Sequence, residues 1–215
     1  MVLLPALLLS AFVSTPSAPG FQAAPPIVAW QDLCDRPSRW LGKKVRLRFQ
    51  YQGRVDDWNP YLTRFGSRRY AAIQAWSDEQ LPWIRSDFDA PLVRLFCPRG
   101  ESCAGALDQA QVNDRYEATA IVREVFLDVP WTEVLEVVPL PERIGEGTII
   151  HAGKALELMR KGDFKLAELE IQQAITDTLP VPARAELERL RAECREAAAA
   201  SKLPGRSRIE VRQTH

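Results

Sequence analysis

The cysteines are the residues whose spacing most clearly suggests chemistry. Cys97 and Cys103 are separated by five residues, which is close enough for a disulfide that fixes the start of a short helix in an oxidising compartment. Redox-active pairs usually have two intervening residues, and a zinc site would need His151 with Cys34 or Cys194 as further ligands. We therefore expect a structural Cys97–Cys103 disulfide and no metal site. The pairing of Cys34 and Cys194 stays open.

The sequence gives little support for catalysis or metal binding by histidine, or for catalysis by paired carboxylates. Its only histidines are His151 and the terminal His215, which leaves no credible Ser-His-Asp set and excludes most histidine metal sites. Aspartate and glutamate are plentiful, but no pair stands out as a general acid and base. A glycine-rich phosphate loop is absent. We expect a protein that is not an enzyme and has no cofactor, with a carboxylate-based hydrolase acting through segment 77–90 as a weaker alternative.

A basic, aromatic segment between residues 36 and 70 is the second candidate site. It carries ten cations against two acids, with aromatic rings interleaved. The residues predicted to bind a ligand are Arg46, Arg48, Trp58, Tyr61, Arg68, Arg69 and Tyr70. Such a surface suits single-stranded nucleic acid, but cations on an edge strand also discourage aggregation, and a charge run is a weak motif. We favour the interpretation that these cations form a solvent-exposed face, over the interpretation that they bind nucleic acid.

Composition and the N-terminal sequence restrict the class of ligand and the cellular location of the protein. The 215 residues hold 28 Lys+Arg and 28 Asp+Glu, so no global charge favours nucleic acid or membrane. Residues 2–13 are apolar and uncharged and precede small residues and prolines, as in a signal peptide over 1–20 cleaved near Gly20, Ala23 or Ala24. An uncleaved apolar tail or a buried first strand is the alternative. No later stretch is apolar for long enough to span a bilayer, so we expect an exported, periplasmic or surface protein without a membrane span in its mature form.

One strand organises the elements that follow. Val45, Leu47, Phe49 and Tyr51 alternate with polar residues, which predicts a strand with one buried face. Before it, a short helix should begin near Ile27 and end by Pro37. After it we expect strands over 70–76, 91–97, 116–127 and 131–140, an insertion over 77–90, and a short helix over 103–112 between the third and fourth strands. The fourth strand has a possible bulge near Glu124.

This order resembles the OB-fold, a family of small Greek-key barrels that bind oligonucleotides and oligosaccharides. Trp40, Gly42 and Lys43 before the first strand resemble the entry to such domains. The resemblance covers about residues 42–140 and implies an antiparallel five-stranded barrel over 26–141. The insertion at 77–90 departs from a minimal barrel.

The segment after the linker at 141–147 resembles a tetratricopeptide repeat. Gly162, Phe164, Ala167 and Ala174 stand at the positions where such repeats need a close helix crossing, an aromatic and small packing residues. The match covers one repeat, whereas an array needs three or more to form a peptide groove, so we expect a helical hairpin over 148–200 docked on the barrel. A further helix should run from Pro182 to about Ala200. Residues 201–215 should form a flexible tail.

The sequence thus predicts an α+β protein, a small OB-like five-stranded antiparallel barrel followed by a C-terminal helical hairpin. Our first functional hypothesis is an exported, non-enzymatic bacterial binding or scaffolding protein with a protein or glycan partner. The alternative is an OB-fold protein that binds single-stranded nucleic acid.

Overall fold

The structure is a computed structural model that describes residues 24–56, 58 and 64–201, and the side chains of Val93 and Arg94 are not considered. The predicted signal peptide and all of the predicted tail except Ser201 lie outside these residues. Among the helices described, none is long and apolar enough to cross a membrane.

Five strands are followed by three longer helices, as the sequence predicts. In chain order the elements are α1 (Trp30–Asp35), α2 (Pro37–Trp40), β1 (Lys44–Val55), β2 (Tyr70–Ser77), α3 (Arg85–Asp89), β3 (Leu92–Pro98), α4 (Ser102–Asp108), β4 (Arg115–Phe126), β5 (Val129–Leu140), α5 (Glu146–Lys161), α6 (Phe164–Ala174) and α7 (Val181–Ala200). The helix before β1 ends before Pro37 as expected, but Pro37 then begins a second short helix. Proline is well suited to that first position because its missing N–H has no partner there.

The strands form one mixed sheet in the order β1-β2-β3-β5-β4. Since β1 also pairs with β4, every strand has two neighbours and the ring of pairings is closed. The prediction of a wholly antiparallel sheet is wrong at one place: β3 and β5 run parallel, with Leu95 opposite Thr132 and Phe96 opposite Glu133. The other four pairs are antiparallel, so β3 and β5 both run in the direction of β1, and the pair that they form must be parallel. The predicted irregularity in β4 is present as a register shift between Val122 and Glu124.

The register of β1 confirms the predicted alternation over its first half. Val45, Leu47 and Phe49 are buried, whereas Arg46 is half-buried and Arg48 is exposed. Trp30 and Trp40 are partly buried and pack against the same interior. The interior of the sheet is therefore filled by the apolar residues that the period-2 pattern selects.

Gln50 breaks the alternation and joins the sheet to the helices. Its side chain is only 3% exposed. The amide Nε2 donates to the carbonyl oxygen of Ile144 at 3.0 Å, and the backbone N–H of Ile144 donates to Oε1 at 2.9 Å. Gln50 lies on the outer face of the sheet. Its side chain can be buried because it pairs with both the N–H and the C=O of Ile144.

The C-terminal helices form a second core of their own. Ala155, Ala167, Ala174 and Leu187 are buried where α5, α6 and α7 meet. Gly162 ends α5 with a φ of +84°, and the N–H of Asp163 bonds to the carbonyl oxygen of Leu158. That backbone conformation favours glycine and turns the chain sharply into α6.

Candidate binding surfaces

The predicted binding residues Arg46 and Arg48 lie on the outer face of β1, beside β4, where both contact Glu117. The nitrogen-to-oxygen distances to Glu117 are 2.9 Å from Arg46 and 3.0 Å from Arg48. Arg46 also donates through Nε to the carbonyl oxygen of Pro25 at 2.9 Å, and its backbone bonds to Pro26 and Val28. Arg46 therefore holds the N-terminal segment against the sheet, whereas the Arg48 side chain bonds to Glu117.

The environment of Glu117 keeps its carboxylate charged. Burial opposes ionisation and is the largest single effect, but the hydrogen bond from Arg48 and the positive charge of Arg46 together outweigh it. The pKa of Glu117 consequently lies below its ordinary value. Glu117 thus offsets one of the two positive charges that Arg46 and Arg48 place on β1.

Trp58 and Tyr70, also predicted to bind, lie elsewhere, in an aromatic cluster outside the closed sheet. The cluster is centred on Phe65, Phe96 and Trp131, with Trp58 and Tyr70 packed against it. Arg68 and Arg69 are exposed beside this cluster, and the guanidinium of Arg69 lies 6.0 Å from the ring centre of Tyr70. Tyr61 lies outside the described residues. The structure thus separates the predicted set into two arginines on β1 and a group around Tyr70.

The rings of the aromatic cluster stack on one another. The ring centres of Phe65 and Phe96 are 4.3 Å apart and the planes are 9° from parallel. Phe96 and Trp131 are 5.2 Å apart at 4°. Phe65, which comes from the β1–β2 connection, is only 1% exposed. Phe65, Phe96 and Trp131 therefore use ring faces for stacking within the protein, whereas Trp58 is tilted and Tyr70 is edge-on to its neighbour.

Tyr70 marks the polar edge of the cluster. Its hydroxyl donates to Oε2 of Glu133 at 3.3 Å, and Arg123 binds the two oxygens of the same carboxylate at 3.0 and 3.1 Å. Burial raises the pKa of Tyr70, and the charge of Glu133 adds to the effect. The hydroxyl consequently stays protonated and serves as a hydrogen-bond donor near neutral pH.

Cys97 and Cys103 lie at disulfide distance, with 6.4 Å between their Cα atoms. Cys97 is near the end of β3 and Cys103 is in the first turn of α4, and both are buried. This confirms the predicted pairing. Cys34 lies in α1, whereas Cys194 is buried in the helical core, where burial raises the pKa of its thiol.

One concave surface of the described residues is a groove that the sequence does not reveal. It has a volume of about 940 Å³ and lies between the β2–β3 connection and the helix pair α5–α6. One wall consists of residues 82–86 and Phe88, and the other carries Ile149, Gly153, Leu156 and Met159 of α5, with Phe164 at the start of α6. We call this surface the groove. Its volume is within the range of typical ligand sites.

The groove is formed because the predicted insertion docks on the helices. Trp83 is buried in the helical core with Ala152 and Ala155, and the backbone oxygen of Trp83 would lie 3.8 Å from a Cβ added at Gly153. The insertion therefore belongs to the packing of the C-terminal helices as well as to the sheet. Periodicity within one element carries no information about such a contact between elements, which is why sequence reasoning missed it.

The polar groups of the groove are few. Arg85, Glu157 and Arg160 are its charged lining residues, and Arg85 also pairs with Asp89 at 2.6 Å. The indole Nε1 of Trp83 is buried and has no hydrogen-bond acceptor among the described residues. A mainly apolar lining with a few polar groups suits recognition of an amphipathic partner.

One titratable cluster lies between α5 and α6. Nδ1 of His151 lies 2.8 Å from Glu170, which also pairs with Lys154. Hydrogen bonds from Lys154 and then His151 lower the pKa of Glu170. Among the described residues, no group of three or more His, Cys, Asp or Glu side chains is arranged to hold a metal ion.

Comparison with known proteins leaves the family open. No protein-family model, no curated protein and no solved structure matches the chain.

Proposed function

We propose that the chain is an exported, non-enzymatic binding protein of a bacterial type that engages a protein partner through the groove. It would combine an OB-type barrel with a tetratricopeptide-type helical hairpin. The observation that carries this proposal is the groove itself, an apolar concave surface of about 940 Å³ between the β2–β3 connection and α5. A protein surface matches an apolar lining better than a glycan does, because sugar hydroxyls need polar partners.

The OB-type assignment is supported by the strand order. A closed ring in the order β1-β2-β3-β5-β4, with α4 between β3 and β4, is the arrangement that the element order in the sequence favours. The tetratricopeptide-type assignment is supported by the antiparallel pair α5–α6, with Gly162 at the turn and Ala167 and Ala174 buried at the crossing. Export is supported by the apolar segment at residues 2–13.

Single-stranded nucleic acid is the less favoured ligand. Arg46, Arg48 and Arg123 pair with carboxylates, and the central rings of the aromatic cluster, Phe65, Phe96 and Trp131, stack on each other. Binding to immobilised single-stranded DNA in a salt series separates the two functions, since affinity through phosphates falls steeply with salt. We expect weak binding at low salt and none at physiological salt.

Site-specific photo-crosslinking in the source cells tests the proposed function. A photoreactive residue at Glu157, an exposed position in the groove, should give a discrete crosslinked protein band in the exported fraction. The same residue at Val138, exposed on β5, should not give that band.

A charged substitution in the opposite wall of the groove completes the test. Phe88→Asp should remove the crosslinked band, because it puts a charge into an apolar wall. Leu127→Asp should leave the band unchanged, because Leu127 is exposed in the β4–β5 turn outside the groove. A band that survives Phe88→Asp in folded protein, or no band at Glu157, would overturn the proposal.

A further inference from the structure

We infer that residues 202–204 of the chain dock in a cleft beside the groove, where Leu203 covers exposed apolar surface of α6. The cleft has a volume of about 360 Å³ and is lined by Phe164, Leu166, Ala198 and Ser201, together with residues 162, 163 and 165. The docking needs no partner, whereas its consequence for the groove rests on the proposed function.

The chain leaves α7 at the cleft itself. Ser201, the residue after α7, lines the cleft together with Ala198, which lies in the last turn of that helix. Two residues span at most about 7 Å, so Leu203 cannot lie far from Ser201 whichever way the backbone turns. The segment that follows α7 therefore begins at the cleft.

The sequence after Ser201 favours a contact between Leu203 and the cleft wall. The N–H of Ser201 still bonds to the carbonyl oxygen of Ala197, but Pro204 disfavours helical backbone at Leu203, so the helix must end between these two residues. At many helix ends the residue two positions beyond the cap packs against the residue three positions before it. With Ser201 as the cap, these residues are Leu203 and Ala198.

The surface of the cleft suits an uncharged apolar side chain. Leu166 is 54% exposed, and Phe164 is only half-buried. The two charged residues that line the cleft, Asp163 and Lys165, have opposite signs, so they give it no net charge. Packing of Leu203 against Leu166 and Phe164 removes apolar area of both surfaces from water, which is favourable.

A segment of the same chain has an advantage over a separate molecule at this cleft. Leu203 is tethered two residues from Ser201, and a short flexible tether gives an effective concentration in the millimolar range. A contact made by one or two side chains is too weak to hold a separate molecule, but it is sufficient for a tethered segment. The occupant that fits the cleft is therefore the chain itself.

Phe164 connects the cleft to the groove, because it lines both. A partner that packs on Phe164 from the groove must displace Leu203 from that ring. When only part of the molecules is free to bind, the apparent affinity falls in proportion to the free fraction. Residues 202–204 thus act as an internal competitor at this end of the groove.

A photoreactive leucine analogue at position 203 of the full-length chain tests the docking. Illumination should link it mainly to the part of α6 that contains Phe164 and Leu166. Leu166→Asp should reduce this link by about fivefold or more, because it puts a charge into the apolar contact. Leu169→Asp is the matched control and should leave the link unchanged, since Leu169 is 53% exposed on the same helix but does not line the cleft.

Two results of this experiment would overturn the docking. The first is a set of links spread over many parts of the chain, or lost equally in the Leu166→Asp and Leu169→Asp variants. The second is a link between isotope-labelled and unlabelled chains in a mixed sample, which would assign the cleft to a second copy.

Crosslinking of the partner tests the consequence for the groove. With the photoreactive residue at Glu157, Leu203→Asp should strengthen the partner band about threefold, as expected when the docked state holds about two thirds of the molecules. Ile209→Asp makes the same charge change in the same segment, outside the docked residues, and should leave the band unchanged. A band that Leu203→Asp does not strengthen would contradict the competition at Phe164. No band at Glu157 in any variant would contradict the proposed function, while the link from position 203 still decides the docking.

Discussion

Gln50 and Gln52 show how differently two identical side chains can act within one strand. Both lie on β1, but Gln50 makes two hydrogen bonds to Ile144, whereas Oε1 of Gln52 is buried without a partner among the described residues. A buried polar atom stabilises the fold only when it is paired. The alternation pattern alone assigns both residues to the same outer face.

Gln50→Leu should therefore destabilise the protein and Gln52→Leu should not. Loss of the Gln50 amide leaves the buried N–H and C=O of Ile144 unpaired, at about 1–3 kcal/mol for each group. Gln52→Leu removes an unsatisfied acceptor and should be neutral or stabilising. Urea unfolding of both variants measures the difference. An equal loss in the free energy of unfolding of both variants would contradict a specific stabilising contribution of the two hydrogen bonds to Ile144.

Glu117 gives the stability of the protein an acid dependence. Its pKa is lower in the folded protein than in the unfolded chain, so its contribution is complete above the unfolded pKa of about 4.3 and is lost as pH falls through the folded value. Glu117→Gln should lower stability at pH 7 and flatten the decline of stability below about pH 5. Thermal unfolding from pH 7 to pH 3 checks this, and an unchanged slope in the variant would contradict the role of Arg46 and Arg48.

At the scale of elements, the sequence predicts well what depends on local pattern. Alternation in β1 and the proline at position 37 indicate a strand and a helix end within a few residues of those observed. The prediction that Gly162 lies at a close helix crossing is wrong, because it ends α5 with a positive φ and nothing lies within 4 Å of a Cβ added there. The parallel pair β3–β5 and the burial of both faces of β2 are not local properties. Phe65, Phe96 and Trp131 are distant in sequence, so no periodicity indicates that their rings stack.

The register of β1 can be tested by one pair of substitutions. Leu47 is 3% exposed in the sheet interior, so Leu47→Asp should unfold the sheet, because a buried unpaired charge is very costly. Arg48→Gln removes one exposed ion pair and should cost less than about 1 kcal/mol. Circular dichroism and urea unfolding measure both. Similar losses in the two variants would contradict the assignment of Leu47 to the interior.

The disulfide should stabilise the turn between β3 and α4 without deciding whether the protein folds. The loop that it closes is short, and chain entropy gives about 2 kcal/mol for it. Cys97→Ala with Cys103→Ala should reduce the free energy of unfolding by about that amount and leave a folded protein. Mass spectrometry of a non-reduced digest should find the Cys97–Cys103 peptide pair. Free thiols at both positions in exported protein would contradict the bridge.

At the scale of the whole molecule, the β2–β3 connection links the sheet to the core of the C-terminal helices. Trp83 and Ile84 of the β2–β3 connection pack in the core of the C-terminal helices. Ile144, in the linker before α5, accepts a hydrogen bond from Gln50 of β1. These contacts position one wall of the groove against the other. The sequence predicts the sheet and the helices separately, but the groove exists only where they meet, so its residues could not be predicted from either part.

The most direct measurement is a titration of the isotope-labelled chain with the partner protein captured by crosslinking at Glu157, followed by amide chemical shifts. We predict that the shifted resonances belong to residues 82–88 and to the opposite wall of the groove from Ile149 to Phe164, and that Phe88→Asp abolishes the changes. Resonances around Phe96 and Trp131, on the outer face of the sheet, should stay unchanged. Shifts centred on those rings, with the groove unaffected, would contradict the account.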